Sequence, residues 1–258
     1  PPKAMQALPS ESSYSINIGN PDLKPERQSG YEIGGDFYYG DNFFVEFTFF
    51  DQLFLDGIAN DPSIDDLQTI KQEYWYINLG QIINKGIEVA AKTRIFDIFD
   101  ISANYTYLDS RWGKDSIRQT DPIYEGFYDK GERRTDVPSQ TGNVSISLNL
   151  PGTKYTSDKG GSISLDVSYI GERKGRNWLL YYDGLYNPDI QQVTYYSSEI
   201  LMNYDSYYNA RLRLNYSLTN NVSFYLDIRN LNNHTDISRS ITEPALGRQI
   251  IIGTDLDI

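Results

Sequence analysis

Nine segments of this 258-residue chain alternate apolar and polar residues with a period of two, and the linkers between them alternate between short and long. A period of two places every apolar side chain of a strand on one face. In one segment Val222, Phe224, Leu226 and Ile228 oppose Ser223, Tyr225, Asp227 and Arg229; in another, Ala210, Leu212 and Leu214 oppose Arg211, Arg213 and Asn215. Strands are expected at roughly 29–39, 43–55, 84–95, 100–110, 142–150, 161–170, 206–218, 221–231 and 247–258. This double rhythm is that of a membrane β-barrel wall, whose strands need only about 10 residues, half of them apolar. A soluble sandwich is the competing all-β reading, with the polar face in water and the apolar face in a core.

Composition narrows the choice. Only 39% of residues are hydrophobic and no apolar run approaches the roughly 18 residues of a spanning helix, so a transmembrane helix is not expected. The 22 Tyr suit the aromatic girdles of a barrel, where the ring meets lipid and the hydroxyl meets water. The absence of Cys excludes a disulfide framework and thiolate metal sites, and one His argues against a His-built metal centre. Neither a metal nor a cofactor is expected. A net charge of −12 argues against a nucleic-acid partner, because phosphates would be repelled.

Charge fixes which face meets which solvent. Glu88, Lys92, Arg94, Asp166, Arg211, Arg213, Asp227 and Arg229 share the polar parity, and an Arg or Lys facing lipid near mid-bilayer costs about 2–4 kcal/mol. The polar parity is therefore expected to face a lumen or plug, with Glu88, Arg211, Arg213, Asp227 and Arg229 either paired with one another or with plug residues, or simply hydrated. Short connections fall at 40–42, 96–99, 151–160 and 219–220, and long ones at about 56–80, 111–138, 171–205 and 232–246. Short turns of such barrels are periplasmic and long loops external, so residues 1–28 belong outside as well. The chain opens Pro1-Pro2-Lys3-Ala4-Met5 without a charged-then-apolar leader, and about nine strands is an odd count, so a processed product or a part of something longer is expected.

Motifs in order then point to a family. Gly19-Asn20-Pro21-Asp22-Leu23-Lys24-Pro25-Glu26, followed by Tyr31-Glu32-Ile33-Gly34, resembles the "NPxLKPE … YElG" signature of TonB-dependent outer-membrane receptors. Tyr76-Ile77-Asn78-Leu79-Gly80 with Gly86-Ile87-Glu88 is similar to that family's "N-x-G … KGvE", and Asp100 to Asp109 to its "l-x-a-x-Y-x-Y-l-d" strand. Val137-Pro138, Asn230-Leu231 and Gly247-Arg248 match "vP", "NLf" and "pGR", except that Asn232 replaces the aromatic. The family commonly ends in Phe or Trp, whereas this chain ends in Ile258. The resemblance covers about residues 19 to 258 and implies an all-β fold: a transmembrane antiparallel barrel, of which residues 1–258 supply about nine carboxy-terminal strands of a 22-stranded plugged structure.

The resemblance also implies a function: TonB-dependent import of an iron chelate, a vitamin-like ligand or a glycan across the outer membrane of a Gram-negative bacterium, without enzymatic chemistry. Its implied partners are outer-membrane lipid, the plug domain and remaining strands, and the TonB complex; a surface lipoprotein is left open. The alternative is a passive or structural barrel or a surface adhesin. Candidate ligand contacts lie in the outer loops, at Arg173, Arg176, Trp178, Tyr181 and Tyr182, with Trp112 and Tyr128 from the preceding loop, because aromatic faces and guanidinium groups together hold a sugar or an anionic chelate. The opposing reading is that these aromatics pack the loops or sit at the lipid interface. His234 is expected to be a solvated loop residue, and Asp65-Asp66 a solvated pair rather than a Ca²⁺ site.

Overall fold

The computed structural model describes residues 4–12, 15–61, 72–78, 80–113, 129–152, 159–177, 201–235 and 246–256. Its strands in chain order are β1 (Ser10–Glu11), β2 (Ser15–Asn17), β3 (Arg27–Tyr39), β4 (Phe43–Leu55), β5 (Ile58–Asp61), β6 (Gln72–Asn78), β7 (Gln81–Ile95), β8 (Phe99–Trp112), β9 (Gln140–Pro151), β10 (Lys159–Ile170), β11 (Arg173–Arg176), β12 (Leu201–Tyr204), β13 (Tyr207–Thr219), β14 (Val222–Arg229) and β15 (Gln249–Leu256). The nine long segments expected from alternation form one antiparallel sheet in the order β15-β14-β13-β10-β9-β8-β7-β4-β3. Skipping the short strands, every neighbour in that sheet is the next in sequence, which makes it a meander.

Register carries each parity across the sheet, with shifts only at strand ends, between Lys159 and Gly161 and between Ser217 and Thr219. On one face Ile33 opposes Phe49, Phe49 opposes Ile87, and Ile87 opposes Tyr107. Further round, Ile146, Leu165, Leu212, Ile228 and Ile250 form one cross-strand row. No described element covers this face, and Ile33, Phe47, Ile250 and Ile252 are all more than half exposed. A sandwich would have buried them; lipid solvates them instead.

The other face is polar and concave, enclosing about 1160 Å³ between β8 and β15. It is not uniformly polar, since Phe44, Phe50, Leu108 and Ile251 lie on it. Phe50 explains Gly86 in the strand opposite, because a Cβ there would run into its ring and into the Tyr107 carbonyl. Gly253 seats the Tyr225 ring in the same way. Both glycines accommodate a neighbouring aromatic ring.

Among the described residues, the short connections at 40–42, 96–98 and 220–221 are turns. Phe96 and Asp97 hold left-handed backbone (φ 53° and 55°), and the Ile98 N–H donates to the Ile95 carbonyl at 3.1 Å, the mirror-image turn that matches strand twist. The long connections contain structure that alternation does not reveal. β1, β2, β6 and β5 make a four-stranded sheet, with β2 and β6 parallel, and β11 pairs with β12 as a hairpin beyond the end of β10. Among the described residues β3 and β15 each have one sheet neighbour.

Candidate functional site

The concave wall carries an ion-pair network built from alternate positions of adjacent strands. Arg211 on β13 reaches diagonally to Asp227 on β14 through two parallel bonds of 2.7 Å, and Arg229 donates to the same carboxylate at 2.9 Å. Arg213 pairs with Asp166 on β10 at 2.8 Å, and Ser145 donates to the other oxygen of that carboxylate at 2.7 Å. Three guanidinium groups thus share two carboxylates, leaving a cationic excess toward the cavity. Glu88 faces the same interior between Thr48 and Thr106. Arg211, Arg213, Asp227 and Arg229 thus lie in ion pairs within the wall, together with Asp166.

Above this wall, the outer mouth stacks cations on aromatics. Trp112 ends β8 at 5% exposure, and the Arg134 guanidinium lies 5.8 Å from its ring centre. Burial pushes the Arg134 guanidinium below its usual range. The hairpin supplies a second pair, Arg173 over Tyr204 at 4.8 Å. Burial raises the Tyr204 phenol, and the nearby Asp136 carboxylate adds to the effect. A Cβ at Gly175 would collide with Asp136 and with the Tyr204 ring, so glycine lets the hairpin close against both. The Asp136 N–H donates to the Lys174 carbonyl at 2.7 Å, and Lys174 reaches Glu132 at 3.7 Å, which ties the hairpin to residues 129–136.

Two motifs separated by over fifty residues turn out to be one latch. Asn78 accepts from the Lys24 N–H at 2.8 Å and donates to the Lys24 and Asp56 carbonyls at 2.9 and 2.7 Å. Asn20 donates to the Tyr76 carbonyl at 2.8 Å, and Glu26 accepts from the Ile58 N–H at 2.9 Å. The 19–26 signature therefore secures the segment before β3 to the loop after β4. At the other end, Asn230 bonds to both His234 backbone groups and to the Leu246 carbonyl, while Asn232 bridges the Tyr208 carbonyl and the Ala210 N–H. Asn232 thus extends the β13 ladder past the end of β14 with a side-chain amide. His234 is not simply solvated, because its ring stacks on Tyr207 with centres 5.1 Å apart.

Comparison with known proteins decides the family. The family model "TonB dependent receptor-like, beta-barrel" matches residues 4–231. The chain belongs to that family. It forms part of a receptor barrel of the Gram-negative outer membrane, in a family of non-enzymatic transporters. Among solved structures, its fold is similar to the siderophore receptor PirA from Acinetobacter baumannii (TM-score 0.63, 17% identity, 94% of this chain and 33% of that one). It is also similar to the ferric yersiniabactin uptake receptor FyuA from Yersinia pestis (TM-score 0.60, 17% identity, 90% and 30%). The FrpB iron transporter from Neisseria meningitidis matches with TM-score 0.61 at 15% identity, 94% of this chain and 33% of that one. The chain thus spans about a third of the length of the receptors it matches. No curated protein sequence matches it.

Of the residues proposed from sequence to contact ligand in this TonB-dependent receptor, Trp112 and Arg173 lie at the mouth, on different supports. Arg176 pairs with Leu201 at the tip of the β11–β12 hairpin. Trp178, Tyr181, Tyr182 and Tyr128 lie outside the described residues, as do Asp65 and Asp66. Tyr204 and Asp136 join the mouth without having been singled out, and nothing in local composition marks them; only the hairpin pairing brings them there. Among the described residues no group of three or more metal-ligating side chains converges.

Proposed function

We propose that this receptor captures an anionic iron chelate at its outer mouth and passes it inward past the Arg211, Arg213 and Arg229 cluster. The observation that carries the reading is the pair of guanidinium-on-aromatic contacts, Arg134 on Trp112 and Arg173 on Tyr204, set above the cluster in which Arg211, Arg213 and Arg229 share Asp166 and Asp227. Trp112 and Tyr204 are buried and serve as platforms that hold the two guanidinium groups, whose fixed positive charge suits an anionic ligand. The names of the similar structures, a siderophore receptor, a ferric yersiniabactin uptake receptor and an iron transporter, agree with this chemistry. The reading requires a plug and further strands to close the barrel, the lipid around it and the TonB complex to move the plug.

The test uses the complete receptor in cells and in detergent. Replacing Arg173 and Arg134 by Ala, and separately Trp178 and Tyr181, should weaken binding of a ferric catecholate by about 1–3 kcal/mol for each anchor residue. Receptor levels in the outer membrane should stay the same. Collapsing the proton gradient should abolish uptake. Uptake that survives the collapse would identify a passive barrel, and unchanged binding in all four variants would remove the mouth from the ligand path.

A further inference from the structure

The lipid-facing side of the sheet carries one polar row with an excess of positive charge. Tyr31, Asp51, Lys85 and Asp109 are successive cross-strand partners on β3, β4, β7 and β8, all on the apolar parity. Lys85 pairs with Asp51 at 2.8 Å, and the Tyr31 hydroxyl donates to the same carboxylate at 3.2 Å. Two residues above Asp109 on the same face, Arg111 folds back onto it at 2.8 Å. Arg133, bridged to Arg111, approaches the same carboxylate at 3.6 Å. Three cations share two carboxylates within a chain whose overall charge is −12.

The depth of this row is set by the aromatic residues below it. Tyr107 stands one pleat and Tyr105 two pleats below Asp109 on β8, and Tyr169 and Tyr208 share the cross-strand row of Tyr105 through Gly142; all four are exposed on the apolar face. Near the inner ends, Phe37, Tyr39, Phe43 and Phe99 form the matching lower set. Phe99 and Asp109 stand ten residues apart in one strand, about 33 Å along it and about 25 Å along the membrane normal at a tilt of about 40°. That equals the height of a barrel's apolar band. Lys85 therefore sits one pleat, and Arg111 and Arg133 two pleats, outside Tyr107 of the upper aromatic girdle, at the level of outer-leaflet headgroups. Their side chains are 55%, 44% and 42% exposed, and the carboxylates hold them in place without neutralising them.

We propose that Lys85, Arg111 and Arg133 form a site on the outside of the barrel that holds the phosphate-bearing headgroup of an outer-leaflet lipid. Guanidinium groups bind phosphate oxygens in pairs, and a surface lysine adds a compact point charge. A cation at headgroup depth gains from an anionic lipid what it would not gain from the hydrocarbon below or the solvent above. Asp51 and Asp109 act as positioning residues, aiming the three cations along one row. This site is independent of the ligand at the mouth, because it faces the opposite side of the wall.

The experiment titrates the complete receptor in neutral detergent with phosphorylated lipid A and with its dephosphorylated form, read by native mass spectrometry. The phosphorylated lipid should bind about tenfold or more tightly than the dephosphorylated one, and 1 M salt should reduce that preference. The triple variant Lys85→Gln, Arg111→Gln, Arg133→Gln should lose the preference, whereas Lys85→Arg, Arg111→Lys, Arg133→Lys should keep it. Equal binding of the two lipids to the unmodified receptor would overturn the proposal, as would an undiminished preference in an assembled Gln variant. Should that variant fail to assemble, the comparison of lipids and salt on the unmodified receptor still decides.

Discussion

The sheet wall and the layer outside it are held by different bonds. In the wall, backbone pairs with backbone from β3 to β15, and each parity runs through nine strands. Beyond the ends of those strands, asparagine side chains take over the pairing: Asn20 and Asn78 between the segments flanking β3–β5, and Asn230, Asn232 and Asn233 over β13 and β15. The difference follows from solvent. In lipid an unsatisfied backbone group costs several kcal/mol, and only a continuous ladder satisfies all of them. In water the penalty falls, and a short amide can satisfy a backbone that no longer runs straight.

If this division is right, damage to the wall should melt the barrel and damage to the outer layer should only loosen it. The largest effect is expected for Gly86→Leu, whose side chain would meet the Phe50 ring and the Tyr107 carbonyl. A cost of about 3 kcal/mol is the scale of such overpacking, seen as loss of the heat-modifiable band on electrophoresis, with partial recovery when Phe50→Ala is added. Asn230→Ala comes next, at about 2 kcal/mol, because it leaves three backbone groups near a buried side chain without their bonds. Hydrogen exchange should report it at the outer ends of β13–β15 and not lower down. Asn78→Ala should cost about 1–2 kcal/mol and show as faster proteolysis between Pro9 and Glu26, with an unchanged barrel melting temperature. A melting temperature lowered as far as by Gly86→Leu would break the comparison. Smallest of all is Arg229→Gln, at under about 1 kcal/mol, since its side chain is half exposed and Asp227 keeps its two bonds to Arg211.

The same division explains what the sequence discloses. A period of two is the direct consequence of one face in lipid, so all nine wall strands and the shared face of Arg211, Arg213, Asp227 and Arg229 can be read from alternation. The outer layer obeys no such period. β5, β6, β11 and β12 are four to seven residues long, and what fixes them lies far away in sequence, as Asn78 lies from Lys24. The 19–26 motif is visible in the sequence, but its pairing with Asn78 is a tertiary fact. Strand ends move for a related reason: β14 stops at Arg229 because Asn230 turns to a φ of 52° to make its three bonds, two residues short of where alternation would carry the strand. Trp112 looks like a loop aromatic in the sequence, and only the return of residues 131–134 along β8 buries it.

The absence of cysteine makes the central claim directly measurable, since each introduced cysteine can carry a single spin label. Labels placed one at a time at residues 211–214 and 225–228 of the membrane-embedded receptor would be scanned for collision with oxygen, which concentrates in lipid, and with a water-soluble nickel chelate. Oxygen accessibility should peak at positions 212, 214, 226 and 228 and nickel accessibility at 211, 213, 225 and 227, in antiphase with period two. Equal accessibility at neighbouring positions, or nickel maxima at Leu212 and Leu226, would contradict a wall whose apolar parity faces lipid.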